Sequence, residues 1–447
     1  GAFATAIITG DRSAIPQPVL QALRDTNLAH LLAISGLHMG LVSAFAFALL
    51  RLGLLLTPVG LRWPVKKIAA GGALVLAAIY LALSGGNVAT ERAFVMVAVM
   101  LLAIMVDRRA ISLRAVGLAA LIVLVLRPEA LIGPGFQMSF AATTALVAVF
   151  GAIRDSAHDL PRHRVLRGIA SVVLSSGIAG AATAPFAMAH FNQIAQLGLL
   201  ANLLTVPLMG LLVIPAAVLG ILLMPFGLEA VGLVPMGLGL DWILYVAQVI
   251  AQWDGAVRPV MTPGPAVLPL ITLGGLFLIL WQGRSRALGL APLVLGGLLW
   301  AKAERPPILV AEDGALVGIM TEAGRAVSRA KGAGFIAEVW LENDGQGLDQ
   351  PTAATLWDGT ALPVRHIIGK RDAAAYEGCT DGALVIASAD LPTRPIATNC
   401  AVLDARALRG MGSLSIMRNS DGAWQIEQAR DRSGARLWND PALRQGQ

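Results

Sequence analysis

The stretch HLLAISGLHMGLVSAFAFALL, residues 30–50, is an apolar run that carries two imidazoles and a hydroxyl near its start. A helix needs about 20 residues to cross the hydrocarbon core of a bilayer, so this run is long enough to span a membrane. His30, Ser35 and His38 each cost free energy in hydrocarbon unless they meet a hydrogen-bond partner or water. The stretch therefore predicts a membrane helix with one specialised polar face.

The composition extends this prediction to most of the chain. Of the 447 residues, 56% are hydrophobic and 14% are charged, whereas soluble domains carry roughly 25% charged residues. Residues 306–447 differ, because they hold 14 Lys and Arg against 17 Asp and Glu, a soluble-domain density. We therefore expect an all-α polytopic membrane domain followed by a small β-rich or α/β soluble domain, with the boundary near Arg305-Pro306-Pro307.

Ten apolar runs predict about ten transmembrane helices. These runs are 30–52, 67–84, 91–106, 112–127, 136–152, 167–189, 195–223, 231–252, 266–282 and 287–303. Pro207 and Pro215 lie inside the seventh run and predict a kinked or broken helix there. In the tail, 308–320 and 413–428 each place two apolar runs around an acidic residue and Gly, which predicts two β-hairpins.

Loop charge predicts the orientation in the membrane. The basic loops are 51–67, 107–114, 153–167 and 283–286, and those between them are nearly neutral. Basic loops favour the cytoplasm, so ten spans place both ends outside it. We expect an extracytoplasmic amphipathic lead-in over 1–29, a membrane domain over 30–303 and an extracytoplasmic domain over 306–447.

The opening stretch, drawn as one continuous helix over 27–44, has two distinct sides. The polar arc holds His30, Ser35 and His38. The opposite arc holds Gly36, Gly40 and Ala44. Small residues four apart allow a second helix to approach closely, so we predict that this side packs against protein and that the polar side lines a water-filled passage.

Other readings of the same residues stay open. The two imidazoles can simply bond neighbouring helices or sit at the interface. Ser35 and His38, three residues apart, can also form a nucleophile and base, although the sequence shows no third orienting group. A metal site on His30 and His38 would have no carboxylate or cysteine as a further ligand. We therefore expect no metal and no cofactor.

Further polar residues are candidates for the same passage. The additional channel-lining candidates are Gln137, Asn192, Asn202 and Asp241. Arg92 is a candidate cation at the outer mouth of the passage, with Glu91 holding it in place. The alternatives are that Thr90 caps a helix whose dipole favours Glu91, and that the amides bond carbonyls freed by the broken helix.

The two cysteines, Cys379 and Cys400, lie in the tail. A disulfide between them would suit an oxidising compartment. Two free buried thiols are the alternative.

The run GDRSAIPQPVLQALRDTNLAHLLAISGLHMGLV (10–42) resembles the signature of the ComEC competence-protein family. The segments GNVATERAFVM (86–96), PGFQMSFAATTAL (134–146) and FNQIAQLGLLANLLTVPL (191–208) resemble further family segments in the expected order. Asn27 stands where the family pattern has Gly. The chain opens at Gly1 without a signal peptide, and we expect an N-terminally short form of the family.

The resemblance implies an inner-membrane channel for uptake of single-stranded DNA during natural transformation. Its implied partners are single-stranded DNA, the lipid bilayer and other DNA-uptake components, including an external motor or DNA receptor, with homo-oligomers possible. Many relatives end in a metallo-β-lactamase-like nuclease domain with an H-x-H-x-D-H cluster. This tail holds one histidine, His366, so we expect a degenerate or unrelated C-terminal domain without metal ligands, and no enzyme activity.

Without the resemblance, the residues indicate only a polytopic channel or transporter. A transporter of a small solute or a lipid-linked substrate is the alternative from another class. An intramembrane serine hydrolase built on Ser35 and His38 is the third.

Overall fold

The computed structural model describes residues 1–32, 34–155, 164–358, 363–379, 382–392, 400–419, 421, 423–434 and 436. The chain forms two compact units. The first comprises Gly1–Arg258 and Leu268–Leu295, and the second comprises Pro259–Val267 and Gly296–Gln447. The predicted basic loop 153–167 lies in part outside the described residues.

The lead-in of the first unit consists of short helices that bury one face. They are α1 (Ala2–Thr9), α2 (Gln17–Asp25) and a 3-10 turn at Ala29–Leu31. Phe3, Ile7 and Leu23 are buried in a core that continues into the later membrane helices. This is the amphipathic pattern that predicts a segment lying against protein or the interface rather than a span.

Seven helical segments among the described residues are long and apolar enough to cross a membrane. They are Gly36–Leu55 (α3), Val65–Leu83 (α5, after the short α4 at Val59–Arg62), Val88–Met105 (α6), Pro134–Asp155 (α8), Leu166–Phe191 (within α9, Arg164–Phe191), Gly198–Phe226 and Ala230–Ala251 (α12). Three predicted spans correspond to shorter helices, namely Leu113–Leu126 (α7), Val267–Leu280 (α13) and Leu290–Ala301 (α14). The mostly helical, membrane-spanning first part is therefore confirmed, with seven helices of full length.

The segment Gly198–Phe226 is the broken helix that its prolines predict. It runs as α10 (Gly198–Leu208), a π-helical turn at Met209–Val213, and α11 (Ile214–Leu223). Pro207 removes an amide donor just before the π turn, and Pro215 occupies the first turn of α11, where a proline is tolerated. The wider turn absorbs the interrupted hydrogen-bond ladder.

Helix α3 begins later than the sequence predicts. Residue Ser35 has an extended backbone (φ −100°, ψ 176°) and is the N-cap of α3. Asn27 has a left-handed backbone (φ 58°), which turns the chain after α2. The expected continuous helix over 27–44 is therefore wrong, and His30 lies in the turn before α3 rather than on it.

The packing of α3 differs between its two sides. Its buried residues are His38, Met39, Ser43 and Ala46, and of these Met39 and Ala46 pack with the alanines of α5 and α6. On the other side, Gly36 and Ala44 are exposed. A Cβ atom added at Gly36 or Gly40 would meet no atom within 4 Å. Within the described chain no second helix packs closely on Gly36 or Gly40, and the packing role of Gly36, Gly40 and Ala44 stays a prediction.

Six helical segments of the first unit contact one another in a closed sequence. Helix α3 contacts α6, α6 contacts α7, α7 contacts α8, α8 contacts α9, α9 contacts α10, and α11 contacts α3 again. We call this set of six segments, with α10 and α11 counted as one broken helix, the helix ring. Helix α5 packs on α3 and α6, and α12 packs on the broken helix.

The second unit mixes strands and short helices. Earlier in the chain, a separate two-stranded sheet pairs β1 (Gln193–Ala195) with β2 (Val257–Pro259). Its strands are β3 (Ile308–Val310), β4 (Val317–Thr321), β5 (Gly324–Val327), β6 (Val364–Ile367), β7 (Leu384–Ala387), β8 (Ala401–Leu403), β9 (Leu414–Arg418) and β10 (Trp424–Gln428). Its helices after α14 are α15 (Gly334–Asn343), α16 (Gln350–Thr355), α17 (Gly369–Ala374), α18 (Ala405–Met411) and α19 (Ala429–Ser433).

These strands build one antiparallel and one parallel sheet. The five-stranded sheet has the order β10-β9-β3-β4-β5, and the three-stranded parallel sheet has the order β6-β7-β8. Ile308 lies opposite Ile319 on β4 and Ile416 on β9, in the hydrophobic core. The pairings of β3 with β4 and of β9 with β10 confirm both predicted hairpins.

Candidate functional site

Polar side chains from several helices meet at one end of the helix ring. At this end α3, α6, α8 and α10 begin and α9 ends. The Thr90 hydroxyl donates to the Ile34 carbonyl over 3.5 Å, which joins α6 to the start of α3. A Cβ atom at Gly198 would come within 2.9 Å of the Asn27 Cβ, so α10 begins against the lead-in. We call this end, with Ser35, Arg92, Gln137, His190 and Asn202, the mouth.

Ser35 and His38 form a local contact at the start of α3. Ser35 Oγ lies 3.1 Å from His38 Nδ1, and the Ser35 backbone N–H donates to the same nitrogen over 3.4 Å. An accepting Nδ1 leaves the proton of a neutral ring on Nε2. That Nε2 is buried and has no hydrogen-bond partner among the described residues.

This geometry is that of a helix cap. A side chain at the third helical position that accepts from the N-cap N–H satisfies a donor that the helix leaves free. The His38 side chain is 0% exposed, so it does not face an open passage. The predicted lining role of His38 does not agree with this position, because the side chain is enclosed where α3 begins and caps the helix there.

His30 occupies the exposed surface of the lead-in turn. Its Nδ1 lies 2.9 Å from the Asn27 carbonyl oxygen. Asn27 holds the left-handed conformation that glycine, and after it Asn, adopts most readily. This explains why Asn can replace the Gly that the family pattern has at this position.

Arg92 has a different environment from its neighbour Glu91. Glu91 forms a two-pronged ion pair with Arg127, with Arg127 Nε 2.8 Å from Oε2 and Nη2 3.1 Å from Oε1. The expectation that Glu91 holds Arg92 is therefore wrong. Asn87, rather than Thr90, caps α6 by accepting from two backbone amides.

The guanidinium of Arg92 lies against the first turn of α8. A Cβ atom at Gly135 would come 2.7 Å from Arg92 Nη2, so only glycine allows this approach. The Nε of Arg92 is buried and has no hydrogen-bond partner among the described residues. A cation without a counter-charge thus lies beside a helix N-terminus, which is itself the positive end of a helix.

Gln137 and His190 join α8 to α9 at the mouth. Gln137 Nε2 donates to the Leu131 carbonyl over 3.0 Å, and His190 Nε2 lies 2.8 Å from Gln137 Oε1. The Gln137 oxygen can only accept, so the imidazole donates. His190 is missing from the sequence prediction, although it stands two residues before Asn192 at the end of a predicted span.

The two asparagines of the broken-helix region have backbone roles. Asn192 is almost buried and has a left-handed backbone (φ 53°), which ends α9 and starts β1. Asn202 donates its side-chain amide to the Gly198 carbonyl over 2.7 Å. Thr205 similarly donates to the Ala201 carbonyl over 2.7 Å. Bonding of helix carbonyls is the alternative that the sequence analysis left open for these residues.

Asp241 lies apart from the mouth. It occupies the middle of α12 and is exposed, in a groove that α12 forms with the lead-in helices. Helix α12 is outside the helix ring, so the structure does not bring Asp241 together with the other predicted lining residues.

The second unit contains the disulfide and His366. Cys379 is bonded to Cys400, with their Cα atoms 6.3 Å apart. His366 Nε2 lies 2.8 Å from the Gly314 carbonyl oxygen, and burial lowers the pKa of its imidazole. Among the described residues, no three His, Cys, Asp or Glu side chains converge on a point that could hold a metal ion.

Comparison with known proteins places this arrangement among competence proteins. The model of the family described as Competence protein matches residues 7–285. The chain is 27% identical over 299 residues to ComE operon protein 3 of Bacillus subtilis (strain 168), covering 66% of this chain and 35% of that protein. It is 29% identical over 315 residues to Competence protein ComA of Neisseria gonorrhoeae, covering 68% and 41%.

A third relative is Recombination protein 2 of Haemophilus influenzae, 29% identical over 215 residues, or 47% of this chain and 27% of that protein. The chain thus spans less than half the length of these relatives. No solved structure matches the chain.

Proposed function

The chain belongs to the Competence protein family, and from this premise we propose that it forms the membrane channel through which single-stranded DNA is taken up during natural transformation. A strand with one charge per nucleotide must cross about 30 Å of hydrocarbon, which requires a hydrated route through protein. The lead-in and the second unit lie on the extracytoplasmic side in this proposal.

The helix ring is the observation that carries the proposal. Its main contacts pass from each helix to the next and return to α3. Six helices in a regular ring with axes about 9 Å apart would place opposite axes about 18 Å apart. Because a helix with side chains is about 10 Å wide, a gap of about 8 Å would remain on the axis. That gap can hold an extended, hydrated strand.

The open side of α3 supplies a suitable wall for this route. Gly36, Gly40 and Ala44 leave space and hold no large apolar group. The exposed large residues of α3, Phe45, Leu49 and Leu52, fall on a different side of the helix and suit contact with acyl chains. In this proposal the small-residue side borders the passage, whereas the sequence predicts that this side packs against a second helix.

The mouth supplies weak contacts for a polyanion. Arg92 is the phosphate contact, because its charge has no counter-ion among the described residues and it lies beside the positive end of α8. Gln137, His190 and Asn202 add neutral polar groups. Conduction needs several weak sites rather than one tight site, and Arg92 among neutral polar groups meets that need.

A matched pair of tryptophan variants tests the proposal. Gly40→Trp places a large ring on the open side, and Leu49→Trp places the same ring on the apolar exposed side. Both positions are free of close packing, so both variants should insert in the membrane in normal amounts. We expect Gly40→Trp to reduce nuclease-resistant labelled DNA in the cytoplasm by about 100-fold, because a blocked passage stops conduction, with surface-bound DNA and Leu49→Trp unaffected.

Normal DNA uptake by correctly inserted Gly40→Trp protein would overturn the channel proposal. That result would favour the transporter of a small or lipid-linked substrate, whose activity does not require DNA to pass this surface.

A further inference from the structure

One member of the helix ring is built in two pieces. The first piece, α10, contacts α9, and the second piece, α11, contacts α3. The π turn Met209–Val213 joins the two pieces. A bend at this turn therefore changes the separation of α9 from α3, and with it the width of the ring.

The backbone at the π turn is easier to bend than a regular helix. Pro207 and Pro215 lie on either side of the turn and have no amide hydrogen to donate to the preceding turn. The Ile214 amide donates to the Met209 carbonyl, five residues back instead of four. Leu211, at the centre of the turn, is 81% exposed, so the described chain does not enclose it. A few residues of this kind, at the junction of two elements, are typical of hinges.

Helix α12 holds the second piece by contacts between backbones. A Cβ atom at Gly232 would overlap the Gly220 nitrogen and the Ala216 carbonyl oxygen. A Cβ atom at Gly239 would come 2.7 Å from Val213 Cγ2, at the end of the π turn. Residues seven apart lie on one side of a helix, so both glycines of α12 face the broken helix. Helix α11 is therefore fixed closely on α12.

The first piece is joined to α12 in a looser way. Trp242 Nε1 donates to the Leu204 carbonyl of α10 over 3.2 Å, and Trp242 is 46% exposed. An indole N–H in hydrocarbon needs an acceptor, so this bond favours the arrangement described here, which we call the narrow arrangement. Breaking the bond requires only that a side chain rotates, whereas opening the glycine contacts requires two backbones to separate. The π turn thus lies between a fixed piece and a releasable piece.

We propose that the π turn is a hinge at which α10 bends relative to α11, and that Trp242 holds α10 in the narrow arrangement of the ring. Release of the Leu204 carbonyl lets α10 move with α9 away from α3. The purpose of this motion rests on the proposed channel function, because a passage wide enough for a DNA strand must close when no strand occupies it. The hinge itself does not depend on what passes through the ring.

Distances between spin labels test the hinge on the full chain in liposomes. Leu199→Cys on α10 and Phe45→Cys on α3 place one label each at exposed positions. The native cysteines are bonded to each other and do not take a label. We expect double electron–electron resonance to give two label distances, one for each arrangement of the ring. Trp242→Phe should raise the proportion of the longer distance about fivefold, because the narrow arrangement loses a hydrogen bond.

Deletion of Leu211 tests whether the π turn is responsible. A π turn holds one residue more than the α-helical turn that it replaces, so the deletion restores a regular helix and leaves both pieces facing the same neighbours. The matched control is Leu211→Ala, which shortens the same side chain and keeps the turn. We expect only the shorter distance after the deletion, and both distances in the control.

A single distance in the undeleted chain would overturn the inference, and so would two distances that persist after the deletion. Where the deleted chain does not insert in the membrane, Trp242→Phe decides alone, and an unchanged proportion of the longer distance contradicts the hinge. DNA uptake is not measured in this experiment. A failed hinge therefore leaves the channel proposal standing, and failure of the Gly40→Trp test leaves the hinge standing.

Discussion

The two sides of α3 contrast in a way that reverses an ordinary expectation. The side with Met39 and Ala46 is buried against α5 and α6, whereas the side with Gly36, Gly40 and Ala44 is open. A polar residue in a membrane helix can also be placed by the start of its own helix, as His38 Nδ1 is by the Ser35 amide. Small residues, in turn, can keep a space open rather than fill it with a second helix.

The largest effect should separate two alanines on α3 that are two residues apart. Ala46→Trp adds a ring on the buried side, where overpacking costs about 1–3 kcal/mol or more. Ala44→Trp adds the same ring on the open side. We expect Ala46→Trp to lower the amount and the thermal stability of inserted protein, and Ala44→Trp to leave both normal while reducing DNA uptake.

Immunoblots of membranes and melting of detergent-solubilised protein measure the first effect, and labelled DNA uptake measures the second. A lower stability of Ala44→Trp than of Ala46→Trp would contradict the assignment of a buried and an open side to α3.

The next effect concerns the cap at the start of α3. His38→Leu removes the acceptor for the Ser35 amide and should cost about 1 kcal/mol of stability. His38→Gln should restore most of it, because Gln at this position completes the usual capping box. The matched control is His30→Leu, at an exposed position outside α3.

Thermal melting of the three variants measures how much the cap contributes to stability. DNA uptake by His38→Gln tests whether His38 has a structural or a catalytic role. A structural histidine predicts uptake in His38→Gln. Loss of uptake in a stable His38→Gln protein would instead support a base acting on Ser35.

His366 offers a partly buried imidazole outside the membrane for comparison with His38. Each ring has one buried nitrogen without a hydrogen-bond partner among the described residues. Burial lowers the pKa of His366 below its usual 6.5, so the unfolded chain binds a proton before the folded chain does. Stability is therefore fully present above pH 6.5 and declines as the pH falls below it, by at most about 1.4 kcal/mol per pH unit.

Melting of the full chain between pH 7.5 and pH 5, compared with His366→Asn, tests this slope. An identical pH dependence in the two proteins would show that His366 is not the group responsible.

The smallest stability effect should come from two arginines at the mouth. Arg127→Gln breaks a partly exposed ion pair that water screens, so it should change stability little and have no specific effect on DNA. Arg92→Gln removes a charge that has no partner ion, so stability should hold. We expect uptake to fall severalfold in Arg92→Gln, and the salt dependence of DNA binding to weaken by about one phosphate contact. Equal uptake by the two variants would remove Arg92 from the proposed route.

Several parts of the fold follow from local sequence patterns. Apolar runs locate the helices, Pro207 and Pro215 locate the π turn, and the acidic-Gly turns locate both hairpins of the tail. The start of α3 does not follow from hydropathy, because the cap at Ser35 interrupts an apolar run without changing its composition. The hydrogen bond between Gln137 and His190 joins residues 53 positions apart. Local sequence patterns do not predict a contact between such distant residues.

By itself, the sequence determined that this is a helical membrane protein of the competence type with a mixed sheet-and-helix tail. These properties depend on composition, on periodicity within single elements and on motifs of contiguous residues. Only the tertiary structure decided that the glycine side of α3 is open, that Glu91 pairs with Arg127, and that Asp241 lies in a groove beside the lead-in. Which side of a helix is buried depends on the neighbours that reach it, and those neighbours are set by the packing of distant segments.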